Sequence, residues 1–250
     1  MRQRCDEAYV LGARELGEAD LIVTLLAEHA GRIRGVAPSG RKSRKRFGGA
    51  LEPLSRVRAS WVERDGRELH RIESLDLERS YAAMQATPER QAACAVLCEI
   101  AAAIARENEP EEKVFRLTGA VAEALEEGLP PWVAVRYFEY WILRLHGLLS
   151  EASVCGECGA PLGEDDPAFA APPDGLLCRP CSGRREGARK VTRAQRAMLA
   201  AFATKPPREV VAFEEAARAA GGAELLLRGT IERFVERPLR TYRHLRALLP

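Results

Sequence analysis

The chain has 250 residues, of which 46% are hydrophobic and 30% are charged. This composition supplies enough apolar side chains for a folded core and excludes a wholly disordered chain. The 38 basic and 36 acidic residues nearly cancel, so the distribution of charge is more informative than the net charge of +2. No run of roughly 18 apolar residues occurs, so we expect no membrane-spanning helix.

The first eighty residues contain short β-rich runs separated by glycine and acidic turn residues. Five strands are predicted, in "AYVLGAR", "ADLIVTLLAEH", "GRIRGVA", "SRVRASWVER" and "ELHRIESLDL". The fourth alternates cleanly, with Val57, Ala59 and Trp61 on one face. Asp65-Gly66 suits the hairpin turn that follows, and the imperfect alternation of the fifth strand indicates a bulge. Five strands fit a small barrel, most commonly the oligonucleotide-binding (OB) fold, although an SH3-like barrel fits the same pattern.

From Thr87 the pattern becomes helical. Thr87 and Pro88 form the N-cap and first position of one helix, and Gly128 closes a second. The third helix, "WVAVRYFEYWILRLHGLL", is apolar around most of its circumference, which places it at the centre of a bundle. Helical signals resume at a capping box formed by Thr192 and Gln195 and continue through "FEEAARAA" and "AELLLRGTIERFVER".

A Gly-, Pro- and Asp-rich insert separates the two helical stretches, and each stretch has too few helices to form a domain alone. We therefore expect the stretches to pack together. The predicted fold is α+β: a five-stranded OB-fold β-barrel at residues 1–80, an all-α domain at 81–150 and 188–250, and an inserted zinc ribbon with four cysteine ligands at 151–187.

The motifs "CGEC" and "CRPC" place cysteines at Cys155, Cys158, Cys178 and Cys181. Two C-x-x-C pairs at this separation match a structural Zn²⁺ site, because each pair turns two sulfur atoms toward one tetrahedral centre. Two disulfides, a redox pair or a vestigial site are the alternatives, but no βαβ context for a redox motif is visible. Cys94 and Cys98 lie four apart on an apolar helix face and are expected to be buried thiols.

Seven cysteines are an odd number, and four of them have metal-ligand spacing. This usage favours a reducing cytoplasm over an oxidised secreted scaffold. The first residues, "MRQRCDEAYV", show no apolar segment, so we expect no secretory signal.

A basic segment lies between the third and fourth predicted strands. Residues 31–50 hold seven Arg or Lys and no acidic residue. A charge run of this kind is commonly a solvated loop, but its place in an OB barrel favours contact with nucleic acid phosphates. The predicted DNA-binding residues are Arg32, Arg34, Arg41, Lys42, Arg44, Lys45, Arg46, Arg56 and Arg58. No base-reading set accompanies them, so sequence-independent binding is expected.

A second basic stretch closes the chain, with Arg237, Arg240, Arg243 and Arg246 at three-residue intervals. This spacing indicates roughly one face of a terminal helix. The arginines are interpreted either as a snorkelling helix surface or as a second surface for DNA or an acidic partner. No P-loop, G-x-S-x-G or H-E-x-x-H motif occurs, so we predict a non-enzymatic protein with no catalytic residues.

Residues 17–57, and in particular "FGGALEP" after the basic run, resemble the N-terminal signature of the bacterial RecO family of recombination mediators. The paired cysteines and the closing "ERPLRTYRHLRAL" resemble the insert and C-terminal segment of that family. The resemblance implies an OB domain, a helical domain and an inserted zinc ribbon. It further implies binding to single- and double-stranded DNA, strand annealing, and a nucleoid-associated place in the cytoplasm.

The partners implied by the resemblance are RecR, the acidic C-terminal tail of single-stranded DNA-binding protein (SSB) and, indirectly, RecA. We therefore predict a DNA-binding and annealing protein of recombinational repair. One rival function is a zinc-ribbon module whose barrel binds structured RNA. The other is a DNA-processing enzyme, against which the absence of an acidic cluster argues.

Overall fold

The computed structural model describes residues 2–63, 69–163, 167–170, 175–219 and 221–248. The chain divides into two compact units, Met1–Glu123 and Ala124–Pro250. The predicted turn at Asp65-Gly66 lies outside the described residues.

The first unit is built on a closed five-stranded barrel. Its strands are β1 (Arg2–Leu16), β2 (Asp20–Ala27), β3 (Gly31–Ala37), β4 (Arg56–Glu63) and β5 (His70–Arg79). The strand order is β1-β2-β3-β5-β4, and β1 closes the barrel by pairing with β4 through Arg2 to Tyr9. A short helix, α1 (Arg44–Phe47), lies in the connection between β3 and β4. This architecture confirms the predicted OB fold.

The barrel core follows from the alternation of the strands. Val57, Ala59 and Trp61 are buried in it, as the alternation of β4 predicts. The predicted bulge in β5 is also confirmed, because its register with β4 shifts twice, between Arg56 and Val57 and between Ser60 and Trp61. Gly31 begins β3 with a φ of +65°, and a Cβ there would lie 1.8 Å from the Glu109 carbonyl oxygen, so only glycine fits.

Two helices accompany the barrel in the first unit, α2 (Pro88–Ile104) and most of α3 (Glu112–Glu126). The Thr87 hydroxyl caps α2 by accepting a hydrogen bond from the Arg90 amide, as predicted. The Cys98 thiol faces the Val10 carbonyl oxygen of β1 at 3.9 Å. Both Cys94 and Cys98 are buried, as expected for structural thiols.

The second unit is mainly helical. Its helices are α4 (Pro131–Leu145), α5 (Arg179–Ser182), α6 (Arg193–Thr204), α7 (Glu214–Arg218), α8 (Gly222–Phe234) and α9 (Tyr242–Arg246). Helix α4 packs against α6, α7 and α8, which confirms its predicted central place. The capping box of Thr192 and Gln195 begins α6. Two short strands, β6 (Ala168–Phe169) and β7 (Arg189–Lys190), pair antiparallel near the cysteine motifs.

Candidate nucleic-acid interface and metal centre

The four cysteines of the two C-x-x-C motifs form one cluster. Their sulfur atoms all lie within 4.8 Å of one another, and those of Cys158 and Cys178 are 3.8 Å apart. A tetrahedral site with Zn–S bonds of about 2.3 Å places sulfur atoms about 3.8 Å apart. All four are free thiols rather than disulfides. The donor set and its spacing therefore fit a Zn²⁺ ion.

Local hydrogen bonds orient this cluster. The Cys178 amide donates to the Cys155 sulfur atom at 3.4 Å. Burial raises the pKa of the Cys155 thiol, but backbone N–H donors, that of Cys178 first, outweigh burial and lower the pKa to about 6. Hydrogen bonding with the Cys178 thiol, together with burial, raises the pKa of Cys181 to about 12. The Cys155 sulfur thus favours its ionised thiolate form, whereas the neighbouring Cys181 resists the addition of a second negative charge.

Charged side chains enclose the cluster. Arg184 donates to the Cys181 sulfur at 3.4 Å, and Arg185 donates to the Glu157 carboxylate at 2.8 Å. The Arg185 hydrogen bond lowers the pKa of Glu157. Such partners around the ligands fix their orientation.

In the connection between β3 and β4, some cations are exposed to solvent and others contact residues of the connection itself. Arg41 and Lys42 are exposed, and Arg41 contacts the exposed Glu15 carboxylate at 3.3 Å. Arg46 instead donates to the Ser43 hydroxyl at 3.1 Å and lies over the Phe47 ring. Phe47 is buried in the barrel core, where it holds the exit of the connection. The side chains of Arg44 and Lys45 lie outside the described part of the structure.

The predicted cations on the barrel strands differ in their partners. Arg32 donates to the Ala102 carbonyl oxygen at 2.6 Å and pairs with Glu107 at 3.1 Å. Arg56 pairs with Glu7, and this hydrogen bond raises the pKa of the Arg56 guanidinium. Arg58 pairs with Glu78 at 3.3 Å.

Arg34, on β3, is half-buried, and no acidic side chain among the described residues lies within ion-pair distance of it. Among the predicted cations whose side chains are described, those best placed to meet a phosphate are therefore Arg34, Arg41 and Lys42, which we call the barrel cation set.

The C-terminal arginines do not lie on one helix. Helix α9 covers only Tyr242–Arg246, so Arg237 and Arg240 precede it and the expected single helical face is wrong. Pro238 lacks the amide proton that a continuous helix needs, and Glu236 adopts a left-handed φ of 53°. Arg243 is exposed beside His244, whereas Arg246 donates to the buried Glu224 carboxylate at 3.0 Å.

Comparison with known proteins gives the family. The family model described as "Recombination protein O N terminal" matches residues 1–81, and the model described as "Recombination protein O C terminal" matches residues 85–243. This chain belongs to the RecO family. It is therefore a DNA repair protein of that family.

Relatives in several bacteria agree with this assignment. The chain is 38% identical over 173 residues to the DNA repair protein RecO of Anaeromyxobacter sp. (strain K), covering 69% of this chain and 68% of the relative. It is 41% identical over 173 residues to RecO of Koribacter versatilis, covering 69% and 70%. For RecO of Pelobacter propionicus the identity is 33% over 199 residues, covering 79% of each chain.

Sequence reasoning missed further exposed cations of the RecO-family barrel, among them Arg14 and Arg71. The paired strands β1, β2, β3 and β5 place four residues in one row across the sheet, namely Arg14, Ile22, Val36 and Arg71. Residues directly opposite each other on neighbouring strands share a face, so Arg14 and Arg71 flank the face that carries Arg34. In OB folds the face of the second and third strands contacts oligonucleotides. The outward positions of "ELHRIESL" could have identified Arg71.

Sequence reasoning also missed a buried charge network in the second unit. Arg136 and Glu139 lie three residues apart on α4, and Arg136 donates a hydrogen bond to the Glu139 carboxyl with both side chains fully buried. Glu224 on α8, also fully buried, lies 3.9 Å from Arg136 and 3.8 Å from Arg228. Burial raises the pKa of Glu139 to about 8. The sequence signal for this network was an Arg and a Glu three residues apart inside an otherwise apolar helix.

No helix of the described residues is long and apolar enough to cross a membrane.

Proposed function

We propose that this protein binds DNA and anneals complementary strands, and that with RecR it helps RecA load onto SSB-coated single strands. The barrel cation set carries the proposal. Arg34, Arg41 and Lys42 lie on the face and connection of an OB barrel in a chain of a DNA repair family. The SSB tail, RecR and RecA are partners that the family membership supports.

The mechanism we propose is neutralisation of phosphate charge. The pair of Arg41 with Glu15 is exposed, and exposed pairs contribute only about 0–1 kcal/mol, so a phosphate can replace the carboxylate. Arg34 can contact a phosphate without first losing a carboxylate, because it has no acidic partner among the described residues. Two strands bound to such a surface repel each other less, and base pairing between them then proceeds. Binding through phosphates is independent of sequence and weakens as salt rises.

The remaining predicted DNA contacts have a lesser place in this proposal. Arg32 and Arg56 are held by acidic partners, and Arg58 shares Glu78 with Arg56. A phosphate would have to compete with those carboxylates. Arg44, Lys45 and Arg46 remain proposed contacts of the same connection.

We also propose that Cys155, Cys158, Cys178 and Cys181 hold one structural Zn²⁺ ion. Four thiolates complete a tetrahedral shell with no open position, so the ion would stabilise the fold around residues 151–187 and activate no water molecule. The proposed division of labour is a DNA-binding barrel at residues 1–80, a helical domain at 81–150 and 188–250, and the zinc ribbon between them. The proposal assigns no catalytic residue and places the protein in the cytoplasm.

The test is a salt-titrated annealing assay on complementary strands coated with SSB. We expect the protein to accelerate annealing at low salt, and we expect the acceleration to disappear with SSB that lacks its acidic tail. Added RecR should then be required for RecA to form filaments on the coated strand. An unchanged annealing rate at every salt concentration would contradict the function.

Two further readouts separate the components of the proposal. Metal analysis of the purified protein should give one zinc per chain, and Cys158→Ser should lose it. Competition between single-stranded DNA and folded RNA tests the structured-RNA alternative, which preferential displacement by the RNA would favour.

A further inference from the structure

A second group of cations lies in the segment that leads out of the metal cluster. Residues 179–196 contain seven Arg or Lys against a single acid, Glu186. Every residue from 183 to 190 is exposed. Neither the barrel proposal nor the metal centre accounts for this concentration of charge.

Some of these cations have structural partners. Arg184 and Arg185 contact Glu157, and Arg184 also contacts the Cys181 sulfur. Arg196 donates to the Leu162 carbonyl oxygen at 2.6 Å. These three arginines hold the ribbon together and are not available to a ligand without loss of those contacts.

Three arginines remain, Arg179, Arg189 and Arg193, which we call the ribbon cation set. All three are exposed. Among the described residues none of them lies within ion-pair distance of an acidic side chain.

The strand pairing of the ribbon places Arg179 and Arg193 at one end, and Arg189 pairs with Phe169 in the adjoining row. Ala168 pairs antiparallel both with Leu177 and with Lys190, so the segments through Leu177 and Lys190 run in the same direction. Arg179 and Arg193 therefore follow the paired residues Leu177 and Lys190 at the same end of the ribbon. Two strand spacings, about 10 Å, separate the paired residues Leu177 and Lys190, which precede Arg179 and Arg193 by two and three residues.

We propose that the ribbon cation set is a second DNA-contacting surface that binds the phosphate backbone of a single strand. Guanidinium groups suit phosphates because they donate forked hydrogen bonds and keep their charge. An acidic peptide fits less well, since Ala188 is the only apolar side chain at positions 183–190 and protein interfaces need buried apolar anchors. The inference is separate from the proposed barrel contact, because it depends on different residues.

The test measures how binding of labelled oligothymidylate to the full zinc-loaded chain depends on salt. The ribbon variant is R179Q/R189Q/R193Q. Its matched control is R106Q/R208Q/R218Q, which removes the same charge from arginines that already pair with glutamates, namely Glu109 and Glu111, Glu127 and Glu214. Each lost phosphate contact lowers the slope of log K against log salt by about 0.7, so the ribbon variant should lose about 2 and the control almost nothing.

Further variants make every outcome decisive. The single substitution R189Q should lower the slope by about 0.7 while keeping its zinc, which excludes misfolding of the ribbon as the cause. A wild-type slope in both R189Q and the ribbon variant would overturn the inference. If the ribbon variant keeps the wild-type slope for DNA but no longer binds a polyglutamate peptide, the surface binds protein and the inference is likewise overturned. The variant R34Q/R41Q/K42Q, measured in parallel, tests the barrel proposal independently.

Discussion

Two basic segments of similar charge differ in what their cations contact. In the connection between β3 and β4, Arg41 and Lys42 are exposed, and Arg41 contacts the exposed Glu15 and a backbone carbonyl oxygen. In the C-terminal segment, residues 237–246, Arg246 contacts Glu224, whose side chain is fully buried. One segment presents charge outward, and the other uses charge to attach itself to the protein.

The difference shows that the partner of a cation, rather than the number of cations, decides its role. An exposed ion pair contributes about 0–1 kcal/mol and is readily exchanged for a phosphate. A buried carboxylate that loses its cation remains as an uncompensated charge, which is strongly destabilising. We therefore propose DNA contact for the connection and anchoring for Arg246.

The largest expected effect tests the anchoring side of this comparison. Glu224→Gln removes the carboxylate that Arg136, Arg228 and Arg246 share, and it leaves the fully buried Arg136 with Glu139 alone. Removing one partner of a buried pair costs about 3–5 kcal/mol, so the free energy of unfolding should fall by that amount. Urea denaturation at neutral pH measures it.

The matched control is Glu63→Gln, which removes an ion pair with the partly exposed Arg4 at 3.1 Å. This substitution should change the free energy of unfolding by less than about 1 kcal/mol. Equal urea midpoints for the two variants would show that the buried network does not anchor the C-terminal segment.

The fold was predictable where periodicity is local. The alternation around Trp61, the bulge in β5 and the N-cap at Thr87 all follow from residues close in sequence. The full extent of β1 could not be predicted in this way. Residues before Ala8 belong to the strand because they pair with β4, which is more than forty residues away. Closure of a barrel is a non-local property, and polar residues at its edge carry no periodic signal.

The candidate site was predictable in the same uneven way. The cysteine cluster follows from spacing alone, because two short motifs each bring two sulfur atoms together. The partners of the arginines do not follow, since Glu7 meets Arg56 only through the register of β1 against β4. The terminal helix was misjudged because three-residue spacing continues across Pro238, where the backbone cannot remain helical.

An intermediate effect is expected in DNA affinity, and it tests both segments at once. Replacing the barrel cation set by glutamine should weaken binding to single-stranded DNA about tenfold to a hundredfold at moderate salt. R237Q/R240Q/R243Q removes the same charge from the C-terminal segment and should leave affinity within about twofold, a change that diffuse charge alone can produce. Fluorescence anisotropy at matched salt measures both. Comparable losses in the two variants would mean that the C-terminal arginines also contact DNA.

A pH dependence of stability is also expected from the same buried network. Burial raises the pKa of Glu139 to about 8, Arg136 and Arg228 oppose that shift, and Glu224 adds to it. In the unfolded chain this carboxyl ionises near its usual pKa of about 4.3. Between these values the folded chain holds a proton that the unfolded chain has lost. Raising the pH through this window therefore favours unfolding, by at most about 1.4 kcal/mol per pH unit.

Glu139→Gln isolates this contribution, because an amide keeps the shape of the carboxylic acid and does not titrate. His29, whose hydrogen bond with Asp6 raises its pKa, also makes stability fall as pH rises. The quantity to measure is thus the difference between wild type and Glu139→Gln in urea midpoints from pH 5.5 to 8.5. The variant should gain relative stability as pH increases. Parallel profiles would show that Glu139 is ionised throughout this range, and the network would then hold Arg136 as a permanent ion pair.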